Sequence, residues 1–214
     1  MKHNYHKIPG WFNYSEMYDL AIEHMPKDGK ILEIGCFLGK STSYLLTNLC
    51  NAGREDVTVW ALDTFKGSSE HTFMNHWVGV DGSFKQQTAE NLKYFIGRNQ
   101  CHLIESRSDD EKTIASFDDG FFDMIMVDGA HEYDAVKDDV NNWWPKLKDD
   151  GIMLLDDMYM ESVRQAAHDT LIQKVPNFLI SQGRESTGLA VKGKNQDSMS
   201  QWKKLIPEEV FSAK

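Results

Sequence analysis

The chain has 214 residues with 33 acidic against 23 basic side chains, a formal charge of −10, and its length suits one α/β domain with a substantial core. That acidity, without any Lys/Arg-rich block, argues against general affinity for nucleic acid or an anionic membrane. Apolar runs are strand-sized and Met1 to Lys7 lacks the apolar stretch of a signal peptide, so a soluble cytoplasmic protein is expected.

In chain order the pattern alternates. A helix is expected near 14–25, a strand near 30–35, a helix near 40–52, a strand near 57–63, a helix near 83–97 and strands near 101–105 and 122–128. A helix near 132–145, a strand near 151–156, a helix near 159–174 and strands near 177–182 and 187–192 follow, with Asp28-Gly29, Asn51-Ala-Gly53 and Asp149-Asp-Gly151 marking turns. Strands alternating with helices predict a mainly parallel sheet covered on both faces. The last two strands, separated by Gln182 to Gly188, read as a hairpin. Cys36, Cys50 and Cys101 are odd in number and lack C-x-x-C spacing, which favours reduced thiols over disulfides or a zinc site.

The run Lys30 to Leu46 is a short apolar strand, a glycine turn and a helix start. Such a turn allows close backbone approach, and the free amides opening the helix suit an anionic group. Glu33 narrows the choice: a carboxylate beside the turn repels phosphate but suits an ammonium or a sulfonium, and S-adenosylmethionine carries both. The dinucleotide fingerprint G-x-G-x-x-G fails at Phe37. A phosphate-binding loop finds its end in Gly39-Lys40-Ser41, but Gly35 lies one residue too near for its start.

Further strand ends carry acids. Val57 to Asp63 ends where a ribose-binding acid would accept from both sugar hydroxyls, although an Asp there is also a common turn residue. Ser108 and Asp109 close the next strand, either on adenine edge atoms or as a helix cap. Asp128 ends the run 122–128, and Asp156-Asp157 ends 152–157. Parallel neighbours ending at one sheet edge would bring these three carboxylates together, and such a cluster calls for a divalent cation with hard oxygen ligands. Alternatively each Asp caps its own loop.

The spacing Glu33-x-Gly35-x-x-x-Gly39 resembles the first motif of class I S-adenosylmethionine-dependent methyltransferases. Trp60 to Gly67, Asp-Gly-Ala-His-Glu-Tyr at 128–133 and Trp144 to Asp157 are similar to the metal-dependent small-molecule O-methyltransferases of the macrocin and catechol types, over about residues 28–160. The resemblance implies a Rossmann-like, seven-stranded, mainly parallel sheet with helices on both faces and an antiparallel last strand, in one domain over 1–214. It implies cofactor contacts at Glu33, Gly35, Gly39, Ser41, Asp63, Ser108, Asp109 and Asp128. Metal ligands, most simply for magnesium, fall on Asp128, Asp156 and Asp157. His131 stands where a catechol-type enzyme has its lysine base, so His131 with Asp128 would be catalytic; as an alternative, His131 caps the helix beginning at Glu132.

The implied reaction is O-methylation of a small hydroxyl-bearing acceptor, in a chain compatible with a homo-oligomer. The long segment at about 64–82, with His71 and His76, reads as a lid or acceptor pocket, and Trp11 and Tyr14 as residues that could close over the cofactor. Two other classes stay open: a magnesium-nucleotide NTPase or kinase using Lys40, Ser41 and Asp156, and a non-catalytic cofactor-binding module.

Overall fold

The computed structural model describes residues 1–2, 4–67, 82–171, 174–175, 178–180, 186–193 and 209–210. The chain divides into two compact units, Met1–Ser108 and Asp109–Lys214.

The first unit runs through a 3-10 turn at Tyr5–Lys7, then α1 (Ser15–His24), β1 (Lys30–Ile34), α2 (Lys40–Asn51), β2 (Thr58–Asp63), α3 (Lys85–Gly97) and β3 (Cys101–Glu105). The strands pair in parallel in the order β3-β2-β1, with Ile34 opposite Leu62 and Asp63 opposite Glu105. The glycine turn after β1 and the acid ending β2 therefore leave the same edge. Strand β1 is buried from Ile31 onward, as expected of a parallel strand covered on both faces. Helix α2 turns Leu45, Leu46 and Leu49 inward, the three-to-four spacing of a core-facing stripe.

The second unit holds α4 (Glu111–Ala115), β4 (Phe122–Val127), α5 (Tyr133–Trp143), β5 (Leu147–Leu155), α6 (Glu161–Leu171), β6 (Phe178–Ile180), β7 (Gly188–Val191) and β8 (Glu209–Val210). Strands β4 and β5 are parallel, while β5–β7, β7–β6 and β6–β8 are antiparallel. Trp143 is fully buried and packs against Phe117 and Phe122, with ring centroids 6.1 and 6.4 Å away, seating α5 by its apolar end.

The strand count of seven needs correction. Among the described residues three strands lie in the first unit and five in the second, β8 being a two-residue pairing with β6. Strand β5 also starts at Leu147, so the expected turn at Asp149–Gly151 is part of the strand. Asp150 takes φ +64° there, and its amide donates to the Lys192 carbonyl at 2.6 Å while the Lys192 amide returns to Gly151 at 2.9 Å. Antiparallel pairing has absorbed the irregularity. Among the described residues no helix is long and apolar enough to cross a membrane. Residues 68–81 of the expected lid and the hairpin turn at 181–185 lie outside the described residues.

Candidate functional site

In the first unit the glycine turn is built by backbone geometry that its sequence permits. Gly35, Phe37 and Gly39 take φ of +89°, +47° and +81°, and the Gly35 amide donates to Leu62 at 2.9 Å. A Cβ on Gly39 would lie 2.9 Å from a Leu92 methyl, so both the dihedral and the close approach of α3 require glycine. Helix α3 fixes the turn from its side: Thr88 Oγ1 donates to the Phe37 carbonyl at 2.8 Å and Asn91 Nδ2 to the Leu38 carbonyl at 2.9 Å. Sequence reasoning missed both. The available signal was a buried polar Thr on the inward stripe of an amphipathic helix.

Glu33 is 0% exposed. Tyr18 OH donates to Oε1 at 2.8 Å and Thr42 Oγ1 donates to Oε2, so both oxygens are taken by hydroxyls beneath the turn. Burial pushes its pKa up, while hydrogen bonds from Ser41, Thr42 and Tyr18 pull it back and the nearby Asp63 charge adds to the rise. Ser41, expected at the cofactor, is itself buried and serves Glu33. Both side chains are thus buried and hydrogen-bonded to each other across the turn, from β1 to the start of α2.

Asp63 stands at the mouth of the turn. The Phe37 amide donates to its Oδ2 at 2.8 Å and the Phe65 amide to its Oδ1 at 2.7 Å. A carboxylate offers about four acceptor positions, so it can also accept from a sugar's hydroxyls. Lys40, needed on a phosphate by the NTPase reading, donates to the Gly10 carbonyl at 2.7 Å. The exposed Trp11 lies beside Phe37, ring centroids 6.3 Å apart, whereas Tyr14 is buried against Phe12 and Tyr18. Ser108 is half-buried and Asp109 exposed; α4 is capped by Asp110, whose Oδ1 accepts from the Thr113 amide at 2.8 Å.

In the second unit Asp128, His131 and Asp157 bring one ligand atom each within 4.8 Å of one another, and His131 Nε2 lies 2.8 Å from Asp157 Oδ2. Asp156 points elsewhere: it is 7% exposed and its Oδ1 accepts from Thr187 Oγ1 at 3.0 Å. The expected trio of Asp128, Asp156 and Asp157 is therefore not the set that gathers, and His131 takes the third place. Helix α5 has Glu132 as its N-cap without a side-chain capping bond, while Ser162 Oγ fixes the His131 carbonyl at 2.7 Å. Two carboxylates and an imidazole fit a divalent cation by donor chemistry, and they equally allow a proton to sit on His131 opposite Asp157.

A family model described as a methyltransferase domain matches residues 32–158, more than half of the chain. An 8-demethyl-8-(2,3-dimethoxy-alpha-L-rhamnosyl)-tetracenomycin-C 4'-O-methyltransferase of Streptomyces olivaceus is 26% identical over 152 residues, 66% of this chain and 57% of that protein. An uncharacterized Sinorhizobium fredii protein is 25% identical over 140 residues, 65% of this chain. The chain thus spans 57% and 14% of the lengths of these two relatives. Among solved structures, the O-methyltransferase NovP superposes with a TM-score of 0.66 at 18% identity, covering 84% of this chain and 79% of its own; that likeness shows the α/β Rossmann-like fold.

Proposed function

We infer, from the premise that this chain belongs to the methyltransferase-domain family, that it transfers the methyl group of S-adenosylmethionine to a hydroxyl of a small-molecule acceptor with the help of a divalent cation, most simply magnesium. The observation that carries the reading is the gathering of Asp128, His131 and Asp157 within 4.8 Å. The printed activity of the Streptomyces relative, O-methylation of a sugar-bearing small molecule, supports a hydroxyl acceptor. The family match begins in the first unit and ends in the second, which supports a methyltransferase domain that includes residues 32–158.

Each residue then has a part. The amides of the glycine turn, held by Thr88 and Asn91, shape the cofactor's seat, and Asp63 accepts from its ribose hydroxyls. Asp128 and Asp157 supply hard oxygen ligands, with His131 in reach of the same point. The cation, when bound, lowers the pKa of the acceptor hydroxyl. His131 takes the acceptor's proton at an imidazole nitrogen, and the Asp157 carboxylate beside it balances the charge that results. The S–CH3 bond breaks as the O–CH3 bond forms, leaving S-adenosylhomocysteine. No covalent bond to the protein is needed, so positioning supplies most of the acceleration.

Calorimetric titration of S-adenosylhomocysteine and of ATP, each with and without magnesium, tests the reading. Roughly micromolar binding of S-adenosylhomocysteine with ATP silent supports it. Binding of ATP alone, strengthened by magnesium, overturns it.

A further inference from the structure

Glu33 is gripped by two elements besides its own. Strand β1 carries it into the glycine turn, Thr42 lies in the first turn of α2 just beyond that turn, and Tyr18 comes from α1. Because Tyr18 OH holds Oε1 at 2.8 Å and Thr42 Oγ1 holds Oε2, one carboxylate ties the strand before the turn to the helix after it, and both to α1. Tyr18 has no exposed surface; Tyr14 meets it edge-on with ring centroids 5.1 Å apart, and Phe12 lies 5.9 Å away. Packing, rather than solvent, sets where its hydroxyl points.

We infer that Tyr18 and Thr42 are positioning residues for the methyl donor: by clasping the Glu33 carboxyl they set the shape of the turn at Gly35–Gly39 and so the affinity of the cofactor seat. This rests on the methyltransferase reading. It adds α1, which lies before the matched family region, to the residues that determine cofactor binding.

The clasp predicts a pH signature. The titratable groups around Glu33 are Tyr18 on α1, Asp63 on β2, Cys36 in the turn and Cys101 on β3. Burial already pushes Glu33 up, and the hydroxyl donors restrain that rise. Removing a donor lets it rise further, so the carboxylate is neutralised at a higher pH than in the wild type and the clasp opens sooner on acidification.

S-adenosylhomocysteine binding by calorimetry from pH 8.5 to pH 6, with thermal unfolding alongside, tests this in Tyr18→Phe, Thr42→Val and Thr42→Ser. Tyr18→Phe and Thr42→Val should bind about tenfold more weakly than the wild type at the alkaline end, as expected from losing one hydrogen bond to a charged group, and the deficit should widen toward the acid end. Thr42→Ser, which keeps the hydroxyl, should follow the wild type. If Tyr18→Phe does not fold, Thr42→Val carries the same test from the other oxygen. Wild-type affinity throughout, or a loss equal at every pH with a lowered unfolding temperature, overturns the clasp. Failure of the wild type to bind S-adenosylhomocysteine would instead sink the methyltransferase reading.

Discussion

His131 Nε2 and Asp157 Oδ2 are 2.8 Å apart, and Asp157 reaches that contact from a left-handed backbone, φ +55°, at the turn after β5. Of the ordinary residues, Asp and Asn bear this conformation most readily. Position 157 therefore has two separable demands, a backbone one and a charge one. Asp157→Asn meets the first and fails the second; Asp157→Ala fails both. We expect Asp157→Ala and Asp128→Ala to lose metal-dependent methyl transfer while still binding S-adenosylhomocysteine, and Asp157→Asn, whose amide oxygen can still ligate a hard cation, to be weakened less. Asp157→Ala should also be about 1 kcal/mol less stable than Asp157→Asn. Full activity with metal in either alanine variant would remove that residue from the cation's holding set.

Gly39 offers a second test, since its dihedral and its contact can be separated. Gly39→Ala imposes a side chain at φ +81° and presses it against Leu92, which is fully buried. Together these should cost about 2 kcal/mol or more, from the left-handed strain and the overpacking. Adding Leu92→Ala makes its own cavity, but the coupling in a double-mutant cycle should be favourable because the clash disappears. Strictly additive unfolding free energies would mean that Leu92 is not what excludes a side chain there.

In each unit, the part of the candidate site readable in the sequence is the part built by neighbours in the chain. Glycines at 35 and 39 between an apolar strand and a helix need only local spacing to be recognised, and acids at the ends of β2, β4 and β5 need only the period of buried strands. What was missed depends on residues far apart in sequence. Tyr18 lies fifteen positions before Glu33 and Thr187 thirty-one after Asp156, and no local pattern announces either pairing. So Asp156 and Asp157, adjacent in sequence, meet different partners, Thr187 at Asp156 Oδ1 and His131 at Asp157 Oδ2. Helix α4 escaped because five residues are too few for a helical period to register.

The Thr187–Asp156 bond should matter to stability rather than to chemistry. Asp156 is nearly buried and its Oδ1 accepts from Thr187. Thr187→Val keeps the shape but leaves that oxygen with one donor fewer, a change worth about 1–3 kcal/mol at a buried acceptor. Urea denaturation should show a lower midpoint at an unchanged slope, with S-adenosylhomocysteine affinity untouched. A silent variant would place Asp156's support in its other contacts.

The three thiols should differ in reactivity. Cys36 and Cys101 are buried and burial raises both, Cys101 to about 12, whereas Cys50 is only half-buried. The thiolate is the reactive form, so a disulfide reagent at neutral pH should titrate at most Cys50 in the native protein and all three in guanidinium. Rapid modification of Cys36 would show that the glycine turn opens far more often than its bonding suggests.

Asp56 gives a pH prediction with a fixed sign. Arg54 donates to both of its oxygens at 3.0 Å and the Asp28 amide donates at 2.8 Å, which together hold its pKa down from 3.8 to about 2. A carboxylate whose folded pKa is depressed adds stability above its unfolded pKa and loses it as the pH falls through the folded one. Its contribution should be whole above about pH 5 and fade between 3.8 and about 2. Asp56→Asn removes the charge but leaves Arg54 its bonds to the Met25 and Pro26 carbonyls. Since the pair is partly solvated, with side chains 23% and 24% exposed, the difference from wild type at neutral pH should be no more than about 1 kcal/mol. Urea midpoints compared from pH 6 to pH 2.5 should converge, and a constant gap down to the lowest pH would mean that Asp56 stabilises by shape rather than by charge.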